Sequence, residues 1–185
     1  NCINEKSINI MNKIFLIGFM GAGKTTVGRV LAQNLDYDFV EVDTVENWEK
    51  RGFPQGSLEL YRKDKEKYYD IETDILKNFC MKIHRNCVVS TGSSIVNREE
   101  NIDIMKSNGT IVYLMSSVKI LFDRIMNRGH NITNISRWLV NVEATKKMID
   151  SGESKYKIAD LYIDTNDKSI EEVCLDIIGK INNND

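Results

Sequence analysis

The chain has 185 residues, with 25 basic and 27 acidic side chains, a net charge of −2 and 42% hydrophobic residues. That length supports one domain with a substantial apolar core and room for a small lid, but not two full domains. The balanced charge excludes the basic excess of a nucleic-acid or membrane-surface binder. The longest apolar runs, 14–20 and 111–115, fall far short of the roughly 20 residues of a membrane helix.

Cys2, Cys80, Cys87 and Cys174 show neither CxxC nor Cys/His spacing, so buried free thiols are expected rather than a zinc site or a disulfide framework. A reducing, cytoplasmic location follows, for a soluble protein with no nucleic-acid partner and no membrane partner. Residues 1–12 lack the charged-then-apolar pattern of a secretory signal and are expected to be a disordered extension. Residues 13–185 are expected to form a single domain.

In chain order, residues 13–17 are a short apolar run bounded by Gly18 and predict a buried strand. Val27, Val30, Leu31 and Leu35 give residues 25–35 the spacing of an amphipathic helix. Residues 39–42 read as a second strand and 44–50 as a helix. Gly52, Pro54 and Gly56 break the chain before a long helix, 58–79, amphipathic through Leu60, Tyr61, Tyr68, Ile71, Ile75 and Leu76. A third strand, 87–91, ends at Gly92, and a helix over 98–107 closes at Asn108-Gly109. Residues 110–115 form a fourth strand and 118–127 a helix. A polar, aperiodic stretch, 128–137, precedes helical spacing over 139–150, a short strand at 161–164 and a closing helix at 170–181. Strands alternating with helices predict an α/β fold with a parallel sheet covered on both faces.

Gly18-Phe19-Met20-Gly21-Ala22-Gly23-Lys24-Thr25 matches G-x-x-x-x-G-K-[ST] and stands between a predicted strand and a predicted helix, the context a phosphate-binding loop requires. Its glycines let successive backbone N–H groups turn toward phosphate oxygens, and the helix start places its positive end there. Gly21, Ala22, Gly23, Lys24, Thr25 and Thr26 are therefore the expected nucleotide contacts. Lys24 reaches the β and γ phosphates and the Thr25 hydroxyl ligates magnesium. The chain lacks the G-x-G-x-x-G of a dinucleotide-binding fold and the N-K-x-D of a GTPase, so a small-molecule kinase using ATP and Mg2+ is the expected class.

The sequence resembles shikimate kinases, in the nucleoside-monophosphate-kinase-like branch of P-loop proteins. The resemblance runs from about residue 13 to about residue 165. It rests on the phosphate loop continued through Thr26-Val27-Gly28, on Phe39-Val40-Glu41-Val42-Asp43 followed by Glu46, and on Val88-Val89-Ser90-Thr91-Gly92. Gly109-Thr110-Ile111-Val112-Tyr113-Leu114 and Lys155-Tyr156-Lys157-Ile158-Ala159-Asp160 complete it. It implies a three-layer P-loop fold with a five-stranded parallel sheet, a small lid at about 128–138, a monomer, and transfer of the γ-phosphoryl of MgATP to a hydroxyl of shikimate or another small hydroxylated acceptor. It also implies that Glu41 helps hold magnesium and that Asp43 bonds the reacting hydroxyl, with Gly92, Ser93 and Ser94 at the acceptor. Lys24 and Asp43 are then the catalytic pair.

Several positions depart from that pattern. The family holds the shikimate carboxylate with two arginines, whose planar guanidinium suits a carboxylate. The Phe-Arg-x-x-Glu motif reads Tyr68-Tyr69-Asp70-Ile71-Glu72 here, and Gly152 stands where the second arginine belongs, four residues before Tyr156. A three-glycine loop reads Gly92-Ser93-Ser94, which adds side chains to the pocket and would be strained at any positive φ. The lid arginine of Arg-Pro-Leu-Leu falls near Asn131-Ile132-Thr133-Asn134. Arg62, Lys65 and Lys155 are the candidate replacements at the acceptor, and Arg128 or Arg137 in the lid. Two other outcomes stay open: a kinase for an uncharged hydroxylated metabolite, and a kinase-derived nucleotide-binding protein without transfer activity.

Overall fold

The computed structural model describes residues 13–53, 57–127 and 141–183. The expected N-terminal extension and the expected lid, with Arg128 and Arg137, lie outside the described residues. β1 (Lys13–Ile17) is followed by α1 (Lys24–Leu35), β2 (Asp38–Glu41), α2 (Val45–Glu49), α3 (Ser57–Lys63), α4 (Lys65–Lys82) and β3 (Cys87–Ser90). Then come α5 (Glu99–Asn108), β4 (Gly109–Met115), α6 (Val118–Met126), α7 (Val142–Glu153), β5 (Leu161–Asp164) and α8 (Ile170–Asn182).

The strands form one five-stranded sheet in the order β2-β3-β1-β4-β5, with every pairing parallel. β1 is central, pairing Lys13 with both Cys87 and Gly109, and all its residues are buried. Because successive side chains point to opposite faces of a strand, β1 feeds two cores. Ile14 and Leu16 join Val27 and Leu31 of α1, Val173 and Ile177 of α8. Phe15 and Ile17 join Trp48, Leu76 of α4 and Met105 of α5. Helices on both faces are what an all-parallel sheet needs, since both of its sides are apolar.

Two sequence expectations are corrected. The helix expected over 58–79 is two helices, because Asp64 interrupts it. Its backbone is extended (φ −152, ψ 91), and its side chain accepts a hydrogen bond from the Lys67 N–H, capping α4. A local cap of this kind satisfies one of the unpaired N–H groups of a helix start and outweighs an apolar period that runs on across it. Ser93 and Ser94 are also unstrained: among the described residues only Asp36 and Asp167 are non-glycine positions with positive φ, and Ser94 has φ −85.

Candidate active site

The site lies at the carboxyl ends of β1, β2 and β3, where parallel α/β sheets present their loops. Between β1 and α1 the chain turns through Gly21 (φ 83) and Gly23 (φ 91), conformations that side chains rarely adopt. Gly23 caps α1 without a side-chain hydrogen bond, and the first turn of α1 carries no acidic residue. The helix start therefore offers backbone N–H groups and positive potential to an anion. Lys24 Nζ donates to the carbonyls of Gly18 (2.8 Å) and Phe19 (3.1 Å), lying back along the loop. Thr26 follows, exposed, in the same first turn.

Thr25 and Glu41, sixteen positions apart in sequence, meet directly: Thr25 Oγ1 donates to Glu41 Oε1 at 2.5 Å. Ser90 Oγ, at the end of β3, lies 3.3 Å from the same hydroxyl. A hydroxyl and a carboxylate beside a phosphate cradle are the hard oxygen donors Mg2+ takes, and that ion needs few protein ligands because it keeps most of its waters. The residues present thus fit the metal expected from the sequence. Sequence reading did not single out Ser90, although its place before Thr91-Gly92 at a strand end was a usable signal.

Asp43 stands two residues past β2. Its carboxyl is open to solvent on the pocket side and enclosed by protein elsewhere. Trp48 Nε1 donates to Asp43 Oδ1 at 2.9 Å. Enclosure raises the pKa of Asp43, opposed by the Trp48 hydrogen bond and the charge of Lys24, and reinforced by the charge of Glu41. Lys24, Asp43 and Glu41 are therefore close enough to feel one another.

From Asp43 and the Phe19 and Met20 side of the phosphate loop a pocket of about 540 Å3 opens, within the size range of small-molecule sites. Phe19, Tyr61, Tyr68, Tyr69, Ser93, Ser94, Gly152 and Tyr156 line it, with two cations, Lys65 and Lys155. Gly92 underlies it. An added Cβ there would meet Glu72 Oε1 at 2.8 Å and Asp43 Oδ2 at 3.2 Å. Arg62 is not in the pocket wall, although its neighbour Tyr61 on α3 is; the break at Asp64 takes Arg62 off the helical face that carries Tyr69. Lys155 Nζ donates to Asn97 Oδ1 at 2.6 Å, and Lys65 Nζ lies 5.1 Å from the centre of the Tyr61 ring.

The arginine position of the Phe-Arg-x-x-Glu motif is filled by Tyr69, whose hydroxyl burial pushes up to about 12. Arg98 packs behind it, 5.7 Å from the ring centre, and is held by Glu66 and Asp70. Tyr68 stacks on Trp48 with ring centres 4.9 Å apart, and its hydroxyl lies 2.7 Å from Ser94 Oγ. Tyr156 donates to the Ser93 carbonyl at 3.0 Å. These aromatic contacts shape the pocket wall, and only tertiary packing reveals them.

The arrangement places a phosphate cradle and a small-molecule pocket on either side of one carboxylate, the layout required for in-line phosphoryl transfer. Comparison with known proteins agrees. The shikimate kinase family model matches residues 20–182. Shikimate kinases of Bacillus cytotoxicus and Persephonella marina are 34% and 32% identical, over 93% and 92% of this chain and 99% of each of theirs. The solved shikimate kinase from Acinetobacter baumannii in complex with shikimate has a TM-score of 0.80 at 26% identity, covering 94% of both chains. That of Aquifex aeolicus has a TM-score of 0.70 at 28% identity, covering 93% of this chain and 97% of its own.

Proposed function

We propose that this protein, which belongs to the shikimate kinase family of ATP-dependent phosphotransferases, phosphorylates shikimate itself and holds its carboxylate with Lys65 and Lys155 in place of two arginines. One observation carries this reading. The pocket beyond Asp43 is lined by those two lysines, and neither has a carboxylate partner among the described residues. An acceptor with a hydroxyl at one end and an anion at the other matches a wall that is negative at Asp43 and positive opposite.

In this reading the loop N–H groups and Lys24 hold the ATP phosphates. Thr25 and Glu41 hold Mg2+, which supplies charge neutralisation at the phosphates when bound. Asp43 accepts a hydrogen bond from the acceptor hydroxyl. As the new O–P bond forms and the bond to the ADP oxygen breaks, the hydroxyl proton passes to Asp43. Trp48 keeps one carboxylate oxygen oriented, Ser93 and Ser94 line the pocket beside the acceptor, and Gly92 leaves room for the Asp43 carboxyl. A monomer suffices, since one chain supplies every residue named. The free thiols of Cys80, Cys87 and Cys174 suit the cytoplasm.

The test is ADP release with shikimate and with its methyl ester as acceptors. Shikimate is turned over and the ester poorly, and Lys65→Gln or Lys155→Gln raises the KM for shikimate about five-fold each, for a solvent-accessible ion pair worth about 1 kcal/mol. The ester is unaffected by either change. Equal use of acid and ester would remove the carboxylate from the account and favour an uncharged acceptor bonded by the pocket hydroxyls.

A further inference from the structure

A second carboxyl lies beside Asp43 and has no part in the transfer described so far. Glu72 of α4 is 5% exposed. Its Oε1 accepts a hydrogen bond from Ser94 Oγ at 2.6 Å, and Ser94 Oγ in turn takes one from Tyr68. Its Oε2 has no hydrogen-bond partner. A buried carboxylate oxygen without a partner is costly, whereas a carboxylic O–H is not an unpaired charge. Among the described residues Glu72 has no ion pair: the residue one helical turn before it is Tyr69, and Arg98, which offsets its charge only in part, is held by Glu66 and Asp70.

Glu72 also converges on Asp43. Both carboxyls reach the same face of Gly92, and between them lies a cavity of about 10 Å3 lined by Val42, Asp43, Trp48, Glu72, Ile75 and Gly92. That is about the room one water molecule needs, with two carboxyls as polar partners.

We propose that Glu72 is a positioning residue that stays a neutral carboxylic acid, its proton on the enclosed Oε2, so that Asp43 alone carries the negative charge of the pair. Ser94 and Tyr68 fix Oε1 as the acceptor, which leaves Oε2 as the protonated oxygen. Trp48 holds Asp43 Oδ1, and the uncharged Glu72 carboxyl flanks Oδ2 across Gly92 without repelling it. When Glu72 ionises, Asp43 faces a second negative charge and the pocket becomes less hospitable to an anionic acceptor.

The groups facing Glu72 leave that titration to Glu72. Burial, with the charge of Asp43, pushes it up to about 8, opposed by its hydrogen bonds and by Arg98. The hydroxyls of Tyr68, Tyr69 and Tyr156, which surround it, are all raised well above their ordinary value by burial. They remain neutral while Glu72 ionises.

Two measurements on the full chain test this. In carboxyl 13C NMR of glutamate-labelled protein, one glutamate stays protonated at neutral pH and titrates near 8, and Glu72→Gln removes that signal; titration of every glutamate near the ordinary 4.5 would overturn the proposal. This arm needs no acceptor, so it stands apart from the reading of shikimate as substrate. In the kinetic arm, the wild-type KM for shikimate rises on passing about pH 8 while kcat changes less. Glu72→Gln, a neutral isostere, retains turnover and loses that alkaline rise. A folded Glu72→Gln protein that keeps the rise, or is inactive at every pH, would contradict a neutral positioning role.

Discussion

Trp48→Phe isolates the hydrogen bond that orients Asp43. Trp48 is buried and stacks on Tyr68 at 4.9 Å with an interplanar angle of 19°, and phenylalanine keeps a ring in that stack. What disappears is the 2.9 Å bond from Nε1 to Asp43 Oδ1. A hydrogen bond to a charged group is worth about 1.5–3 kcal/mol when dry. Solvent reaches this carboxylate through the pocket, so a value of about 1–1.5 kcal/mol is appropriate. The bond favours the ionised form, so its loss raises the pKa of Asp43 further. In the proposed function the transfer step uses ionised Asp43 as base. The acid limb of kcat/KM for the acceptor therefore moves to higher pH, and turnover on it falls by about five- to ten-fold, the equivalent of that bond, while the Kd for MgATP stays unchanged. The assay is the pH dependence of acceptor-dependent ADP release, with urea unfolding as a check that the variant is folded. An acid limb identical to wild type would refute the assignment of Trp48 and, with it, of Asp43 as base.

Two further outcomes follow from the same geometry. Gly92→Ala drives a methyl group to 2.8 Å from Glu72 Oε1 and 3.2 Å from Asp43 Oδ2, so it displaces both carboxyls and lowers kcat by at least ten-fold with nucleotide affinity retained; nucleotide titration beside steady-state kinetics separates the two. Glu72 also links stability to pH. Its carboxyl titrates near 4.5 when unfolded and about 8 when folded. Below the lower value both states hold the proton; above it the unfolded state releases it first, so stability falls as pH rises and the contribution is gone above the folded value. The total is on the order of 3–5 kcal/mol. Urea midpoints across this range fall for wild type and stay flatter for Glu72→Gln.

The sheet was legible because its strands are short apolar runs closed by glycine or a charged residue. Residues 13–17 and 161–164 are strands with the bounds their sequence suggests. The phosphate loop was legible for a different reason: its chemistry needs glycine, lysine and a hydroxyl residue at fixed spacing. Local hydrogen bonding decides Asp64, and an apolar period cannot report that a side chain caps the next helix. The pocket wall was the least legible part. Lys65 and Lys155 are 90 positions apart, and only the tertiary fold puts both in one pocket wall and leaves Arg62 out of it. Glu72 was visible as a motif residue, yet that it makes no ion pair emerges only once Arg98 is seen bound to Glu66 and Asp70.

Phosphorus NMR of the wild-type protein with MgATP and shikimate tests the central assignment most directly. ATP resonances give way to ADP and a phosphomonoester whose formation requires shikimate, and neither Lys24→Ala nor Asp43→Asn supports it at the wild-type rate. Formation of no phosphomonoester at millimolar shikimate, with ATP bound and intact, would contradict the account.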